Sequence, residues 1–275
     1  RAGRESSGDP DLVTENLSGS DFADRLRGDG ASNQIEGRAG NDTLEGGGGN
    51  DVLVSGAGAD DIAGGAGADA AIYAASAAGV TIALDGSLAI AGGDAAGDVL
   101  AEVENLVGSE FADHLRGDAN GNQLEGRGDS DLLEGLGGND TLVGLGGADT
   151  LVGGAGADIM DGGTGLDDWA DFSALATPII AAANVGAGTI GVSAPAGTDA
   201  TGDVLIGIEH LRGGAGNDTL LGAANTTLPG LANILDGGAG RDAIEGRAGA
   251  DTLIGGLGAD TLTGGTDADV FVWTT

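Results

Sequence analysis

An apolar side chain recurs every nine residues over most of the chain. Leu44, Leu53 and Ile62 are three successive members of this series. Around them the residues follow the pattern G-G-x-G-x-D-x-U-x, in which U is apolar. The pattern predicts a three-residue strand with one inward side chain, preceded by a glycine-rich turn. Two nonapeptides then close an 18-residue coil with strands on opposite sides.

The nonapeptides form three arrays. Consecutive copies fill 19–72 and 108–170, and a third array begins at Gly213. Near 222–227 the third array gains six residues and then resumes. The tripeptide Glu-Asn-Leu occurs ahead of both the first and the second array, so a longer repeat includes the spacers. We predict a parallel β-roll solenoid in three tandem modules, with module 1 in 1–72, a β-rich spacer in 73–107, module 2 in 108–170, a second β-rich spacer in 171–212 and module 3 in 213–275.

The sixth position of each nonapeptide is acidic in most copies, and the 18-residue coil places every second copy on the same edge. The sequence therefore predicts stacked columns of candidate metal ligands. In the first array the columns are Asp24, Asp42, Asp60 and Asn33, Asp51, Asp69. In the second they are Asp113, Asp131, Asp149, Asp167 and Asn122, Asp140, Asp158. In the third they are Asp218, Asp242, Asp260 and Asn233, Asp251, Asp269.

Columns of this kind place like charges one strand spacing apart, roughly 4.8 Å. Their repulsion is about 3.5 kcal/mol per pair at an effective dielectric of 20, so the stack requires a cation between its members. Carboxylates and loop carbonyls form an oxygen-only ligand set, which favours Ca²⁺ over Mg²⁺ because Mg²⁺ demands octahedral geometry and keeps its waters. Transition metals are disfavoured, since the chain has two His and no Cys. We expect on the order of ten Ca²⁺ ions.

Composition and net charge disfavour several classes of partner and of fold. The formal net charge of −34 disfavours nucleic acid and anionic membrane surfaces as partners, and no apolar run is long enough for membrane insertion. With 59 Gly among 275 residues a helical bundle is disfavoured, and 3% aromatic residues with high charge resemble a disordered chain. We expect ion binding to be what allows such a chain to fold. No cleavable secretory signal is visible, and we interpret the chain, which begins at Arg1, as a piece of a longer polypeptide.

These nonapeptides resemble the calcium-binding repeats of the RTX (hemolysin-type) family of secreted bacterial proteins. The resemblance implies a parallel β-roll in which Asp carboxylates and backbone carbonyls hold Ca²⁺ between stacked turns. It also implies type I secretion, with the secretion machinery as a partner in transit and an extracellular or cell-surface location. At cytosolic calcium the chain would stay unfolded, and it would fold outside as a scaffold or spacer of the parent protein.

Several turns depart from the family pattern. Asn33, Asn122 and Asn233 replace Asp, which predicts weaker sites. Phe22 and Phe111 stand where the fourth-position Gly belongs, and we predict that they cap the open end of the roll.

The spacers show a weaker β pattern. Val80, Ile82 and Leu84 alternate before Asp85-Gly86, which predicts a hairpin with Leu88 and Ile90. Ile179-Ile180 and the pair Ile190 and Val192 flank a glycine-rich segment in the same way. The spacers therefore continue or cap the solenoid, unless they are flexible Ala/Gly linkers.

No catalytic signature is found, so we do not expect an enzyme in this region. The chain lacks H-E-x-x-H and G-x-S-x-G motifs and has no Lys for a phosphate-binding loop. His114 and His210 are interpreted as ordinary surface or edge residues. The alternative function is calcium-dependent adhesion or polysaccharide binding through cell-surface or glycan contacts, although few aromatic and Arg side chains are present for sugars. Arg-Gly-Asp triplets at 27–29, 116–118 and 127–129 fall at nonapeptide junctions, where Gly is required anyway.

Overall fold

The computed structural model describes residues 16–183, 190–192, 199–224 and 231–273. These residues form short β-strands joined by tight turns, with one 3₁₀ turn at Gly93–Ala95 and no α-helix. The chain divides into two compact units, 1–131 and 132–275. Among the described residues no helix is long and apolar enough to cross a membrane.

The described residues of the first unit form the strands β1 (Asn16–Ser18), β2 (Arg25–Arg27), β3 (Gln34–Ala39), β4 (Thr43–Gly48), β5 (Val52–Ala57), β6 (Asp61–Ala66), β7 (Ala70–Ile72), β8 (Thr81–Ala83), β9 (Val99–Ala101), β10 (Asn105–Val107), β11 (His114–Arg116) and β12 (Gln123–Gly128). Within the unit they pair in parallel in the orders β1-β3-β5-β7-β10-β12, β2-β4-β6-β9 and β8-β11. Each sheet thus joins strands that are not adjacent in sequence, as a coil of two strands per turn requires.

The described residues of the second unit form β13 (Leu132–Gly137), β14 (Thr141–Gly146), β15 (Thr150–Ala155), β16 (Ile159–Gly163), β17 (Trp169–Asp171), β18 (Ile180–Ala182), β19 (Ile190–Gly191), β20 (Val204–Ile206), β21 (His210–Arg212), β22 (Thr219–Leu221), β23 (Ile234–Asp236), β24 (Ala239–Gly240), β25 (Ala243–Ala248), β26 (Thr252–Ile254), β27 (Leu257–Gly258), β28 (Thr261–Thr266) and β29 (Val270–Val272). They pair in the orders β13-β15-β17-β21-β23-β26-β29, β14-β16-β20-β19, β18-β22-β25-β28 and β24-β27. Only the β19–β20 pairing among them is antiparallel.

The register confirms the predicted coil. Leu44 pairs with Ile62, and Ile35 pairs with Leu53, each 18 residues along the chain. In the third array Thr219 pairs with Ala243, so the six-residue insertion lengthens that coil without changing the pairing. The inward residues form a thin apolar ladder, including Leu44, Leu53, Ile62, Leu142, Leu151 and Leu253, none of them more than 2% exposed. Each unit is therefore a parallel β-roll.

The turns require a left-handed backbone at the second position of the nonapeptide. Gly47 has φ of 107°, and Arg38 adopts φ of 85° at the equivalent place. Leu136 and Leu145, with φ of 75° and 74°, do the same. An L-residue in this region costs roughly 1–2 kcal/mol, so the turn geometry is imposed by the roll and not by the local sequence.

Both spacers take part in the sheets. In the first, β8 pairs with β11 and β9 pairs with β6. The chain reverses after β8, but the predicted return strand is reduced to a single bridge between Thr81 and Ala91. In the second, β18 pairs with β22 and β19 pairs with β20, so the two segments predicted as one hairpin pair with different strands. The glycine-rich segment 184–189 between them lies outside the described residues.

Candidate metal centre

The predicted acidic columns are present and are linked by hydrogen bonds. The N–H of Asp24 donates to Oδ1 of Asp42 at 2.8 Å, and the N–H of Asp42 donates to Oδ1 of Asp60 at 2.7 Å. Further bonds of this kind join the pairs Asn33–Asp51, Asp51–Asp69, Asp113–Asp131, Asp140–Asp158, Asp218–Asp242, Asn233–Asp251, Asp242–Asp260 and Asp251–Asp269, over 2.7–3.0 Å. One oxygen of each carboxylate is thus committed to holding two turns together.

The second oxygen of many of these carboxylates is buried without a hydrogen-bond partner. Within the described residues this holds for Oδ2 of Asp42, Asp51, Asp60, Asp69, Asp158, Asp168, Asp203, Asp242 and Asp251. Burial raises the pKa of Asp42, of Asp51 and of Asp60, and raises the pKa of Asp242 to about 6. A buried carboxylate oxygen facing no donor is costly, so these atoms require either a proton or a cation.

The first glycine of the nonapeptide leaves a space beside that oxygen. A Cβ on Gly37 would clash with Oδ2 of Asp42 and would lie 2.6 Å from the Ser55 carbonyl oxygen of the next turn. A Cβ on Gly46 would likewise meet Oδ2 of Asp51 and lie 2.5 Å from the carbonyl of Gly64. The space is therefore lined by carboxylate and carbonyl oxygens, which are ligands of hard cations.

No group of three or more His, Cys, Asp or Glu side chains that could hold a metal ion by themselves occurs in the described part of the chain. Backbone carbonyls must complete any site. This donor set fits Ca²⁺, which takes six to eight oxygen ligands in flexible geometry, and does not fit a transition metal.

The three asparagines of the columns make a different turn. Oδ1 of Asn233 accepts the N–H of Ala223 at 2.8 Å, while its Nδ2 donates to the Glu209 carbonyl at 2.7 Å. Asn122 repeats the arrangement, with its Nδ2 2.8 Å from the Glu104 carbonyl. Asn33 accepts the N–H of Asp29 in the same way. In Asn122 and Asn233 the side-chain amide therefore has a hydrogen-bond partner at its oxygen and at its nitrogen.

The first aspartates of the columns are also satisfied locally. Oδ2 of Asp24 accepts the N–H and the hydroxyl of Ser20, at 2.6 and 2.8 Å, and these bonds lower the pKa of Asp24. Asp113 accepts the N–H and hydroxyl of Ser109. The cap predicted for the aromatic residues is wrong, because Phe22 is 78% exposed and Phe111 is 42% exposed. Serine donors close these turns instead.

The column prediction is also wrong at Asp167. The N–H of Asp149 donates to Oδ1 of Asp168, 2.8 Å away, whereas the Asp167 side chain is 77% exposed. The cause is a one-residue insertion that turns Ala170 inward in place of Trp169. The small Ala170 occupies the apolar ladder, and the indole packs outside it.

Trp169 forms a small cluster with residues of β21. Its ring lies 5.0 Å from that of His210, and the Arg212 guanidinium lies 5.1 Å over it. His210, interpreted from the sequence as an ordinary surface or edge residue, is only 3% exposed, and its Nδ1 accepts the N–H of Ile234. Burial lowers the pKa of His210, although the neighbouring Asp167 opposes the shift.

Besides Asp168, four acidic residues of the columns lie outside the predicted set. Asp98 and Glu104 accept the N–H groups of Asp60 and Asp69, both at 2.8 Å. In the second unit Asp203 and Glu209 accept those of Asp158 and Asp168, at 3.0 and 3.1 Å. Burial raises the pKa of Asp203 and that of Glu209 to about 7. The signal for them was the repetition of Asp-Val-Leu and of the acidic residue six positions later in both spacers.

The family model for the RTX calcium-binding nonapeptide repeat matches residues 18–53, 36–70, 102–133, 134–168, 205–225 and 232–271, more than half of the chain. The chain belongs to this family. RTX repeats bind Ca²⁺, in agreement with the oxygen-lined spaces beside the buried aspartates. No curated protein matches the chain.

Proposed function

We propose that this region is a structural RTX module that folds when it binds Ca²⁺ after export. It serves as a scaffold or spacer of a type I secreted extracellular or cell-surface protein and carries no catalysis of its own. The observation that carries the proposal is the series of buried Oδ2 atoms without hydrogen-bond partners. No N–H or O–H group of the described residues donates a hydrogen bond to these oxygens. Protonation of so many carboxyls is unfavourable at neutral pH, so a cation is the remaining partner.

The ligands would come from the interior turns of the columns. The carboxylates concerned are those of Asp42, Asp51, Asp60, Asp69, Asp131, Asp140, Asp149, Asp158, Asp168, Asp242, Asp251, Asp260 and Asp269. Asp24, Asp113 and Asp218 already accept local donors, and Asn33, Asn122 and Asn233 are proposed not to bind. Bound Ca²⁺ supplies the positive charge that the column lacks. Ten ions would change the formal charge from −34 to about −14.

Folding is coupled to binding because the apolar core is thin. Each nonapeptide contributes one inward side chain, such as Leu53 or Leu142, while all nine of its residues must be ordered. Without cations, the aspartates that hydrogen-bond across turns would also repel one another. The low cytosolic calcium concentration therefore keeps the chain unfolded for export, and extracellular calcium folds it.

The test is a calcium titration of chelated protein followed by far-UV circular dichroism, with Mg²⁺ as the control cation. We expect a cooperative change from coil to β-structure with Ca²⁺ and none at equal Mg²⁺. A chain that is already β-structured in chelator contradicts the folding switch. A glycan pull-down with and without calcium tests the alternative of polysaccharide binding, for which few Arg and aromatic side chains are present.

A further inference from the structure

Each spacer places one aspartate at the end of a column. Asp98 continues the column of Asp60, and Asp203 continues the column of Asp158. Both begin an Asp-Val-Leu segment whose strand pairs in parallel with the roll. The two aspartates are 5% and 1% exposed. Their positions are equivalent, so any difference between them comes from their neighbours.

In the first unit, hydroxyl groups close the turn. The Tyr73 hydroxyl donates to Oδ2 of Asp98 at 2.9 Å, and the Ser55 hydroxyl donates to the same oxygen at 3.3 Å. Ser55 stands at the first position of its nonapeptide, where glycine otherwise leaves the oxygen-lined space. Its side chain, 1% exposed, occupies that space. Asp98 is thus satisfied by the protein alone.

In the second unit both hydroxyls are missing. Gly153 precedes Asp158 by five residues, as Ser55 precedes Asp60. Phe172 follows the inward Ala170 by two residues, as Tyr73 follows Ala71, and it is 5% exposed. Oδ2 of Asp203 has no hydrogen-bond partner within the described residues, whereas Oδ2 of Asp98 has two. Asp60 and Asp158 are alike in this respect, since the Oδ2 of each has none.

We propose that Asp158 and Asp203 form an additional Ca²⁺ site, in which the second carboxylate comes from the spacer, and that the equivalent pair, Asp60 and Asp98, holds no ion between its two carboxylates. Asp203 lies between the family-matched segments 134–168 and 205–225, so no nonapeptide supplies it. Gly153 keeps the space open, since a Cβ there would lie 2.5 Å from Oδ2 of Asp158. The site rests on the proposed calcium-dependent function and adds one ion to it.

The test counts bound Ca²⁺ per chain by equilibrium dialysis of the full 275-residue protein, with Asp203→Asn and Asp98→Asn as a matched pair. Asparagine keeps the shape and the acceptor Oδ1 of each residue. We expect Asp203→Asn to bind one ion fewer than the unaltered chain and Asp98→Asn to bind the same number. Equal counts for the unaltered chain and folded Asp203→Asn overturn the site.

If circular dichroism shows that Asp203→Asn does not fold, two other variants test the site, one adding a hydroxyl to the second-unit turn and one removing both hydroxyls from the first-unit turn. Phe172→Tyr adds the missing hydroxyl and is expected to lose one ion. Ser55→Gly combined with Tyr73→Phe opens the first-unit turn and is expected to gain one. Unchanged counts in both variants overturn the proposal. Absence of calcium binding by the unaltered chain would instead refute the proposed function itself.

Discussion

Asn233 and Asp251 occupy the same column, 18 residues apart, and both are completely buried. Asn233 uses both ends of its amide, accepting the N–H of Ala223 and donating to the Glu209 carbonyl. Asp251 uses Oδ1 to bind the turn before it and leaves Oδ2 without a partner. One atom, nitrogen or oxygen, separates a side chain with both ends hydrogen-bonded from one whose second oxygen has no hydrogen-bond partner among the described residues.

The comparison extends to the other columns. Turns that begin a column, such as those of Asp24 and Asn122, receive donors from residues four positions earlier. Turns in the interior, such as that of Asp51, receive only the N–H from the previous turn. In the function proposed above, calcium dependence is therefore expected in the interior of each column and not in its first turn.

The largest effect is expected from filling the space of an interior turn. Gly46→Ala places a Cβ against Oδ2 of Asp51 and the Gly64 carbonyl. We expect it to abolish that ion site and to lower the free energy of unfolding in saturating calcium by about 3 kcal/mol. Gly30→Ala is the control, because a Cβ on Gly30 meets no atom within 4 Å. Similar urea midpoints for the two variants would contradict a Ca²⁺ site in the oxygen-lined space beside Gly46.

A smaller effect is expected from exchanging the two residues of the comparison. Asn233→Asp aims a carboxylate oxygen at the Glu209 carbonyl, and at limiting calcium it should cost about 2 kcal/mol. Asp251→Asn should bind one ion fewer and lose less stability under the same conditions. Dialysis counts and urea unfolding measure both quantities. The comparison fails if Asn233→Asp is harmless when calcium is limiting.

Protons should partly replace calcium in the interior turns. Burial raises the pKa of Asp168 and of Asp203 to about 7 in the folded chain, well above the value near 4 of an exposed carboxyl. The folded state then binds protons more tightly, so its stability increases as pH falls and is lost as pH rises through about 7. We expect chelated protein to gain β-structure between about pH 7 and pH 4 in circular dichroism. A pH-independent spectrum would contradict this.

The smallest effect is expected at the start of a column. Ser109→Ala removes the hydroxyl that donates to Asp113 at 2.9 Å, a buried bond worth about 1 kcal/mol. The number of bound ions should not change, because this turn is closed by local donors. Ser87→Ala, which removes an exposed bond to Asp85, is the matched control. Loss of an ion in Ser109→Ala would show that the first turn also depends on calcium.

The nonapeptide period predicts the coil, the inward ladder and most of the acidic columns, because each of these depends only on spacing. The period fails at Asp167, because a single inserted residue places Asp168 in the column instead. The only sign of this insertion in the sequence is that Trp169 is large and Ala170 is small enough to point inward. The period also omits Glu104 and Glu209, whose longer side chains reach the column from outside any nonapeptide. The closure of Asp98 by Tyr73 and Ser55 depends on contacts between distant segments, which no local period contains.

The hydrogen bonds along a column all point one way. Each backbone N–H donates to the carboxylate of the following turn, so a carboxylate such as that of Asp42 is oriented only once the turn of Asp24 exists. The first turn needs no predecessor, because Ser20 orients Asp24. In the column of Asp24, Asp42 and Asp60, loss of the first turn would therefore leave Asp42 without the N–H that holds its Oδ1, whereas loss of the last turn would leave the carboxylates before it held.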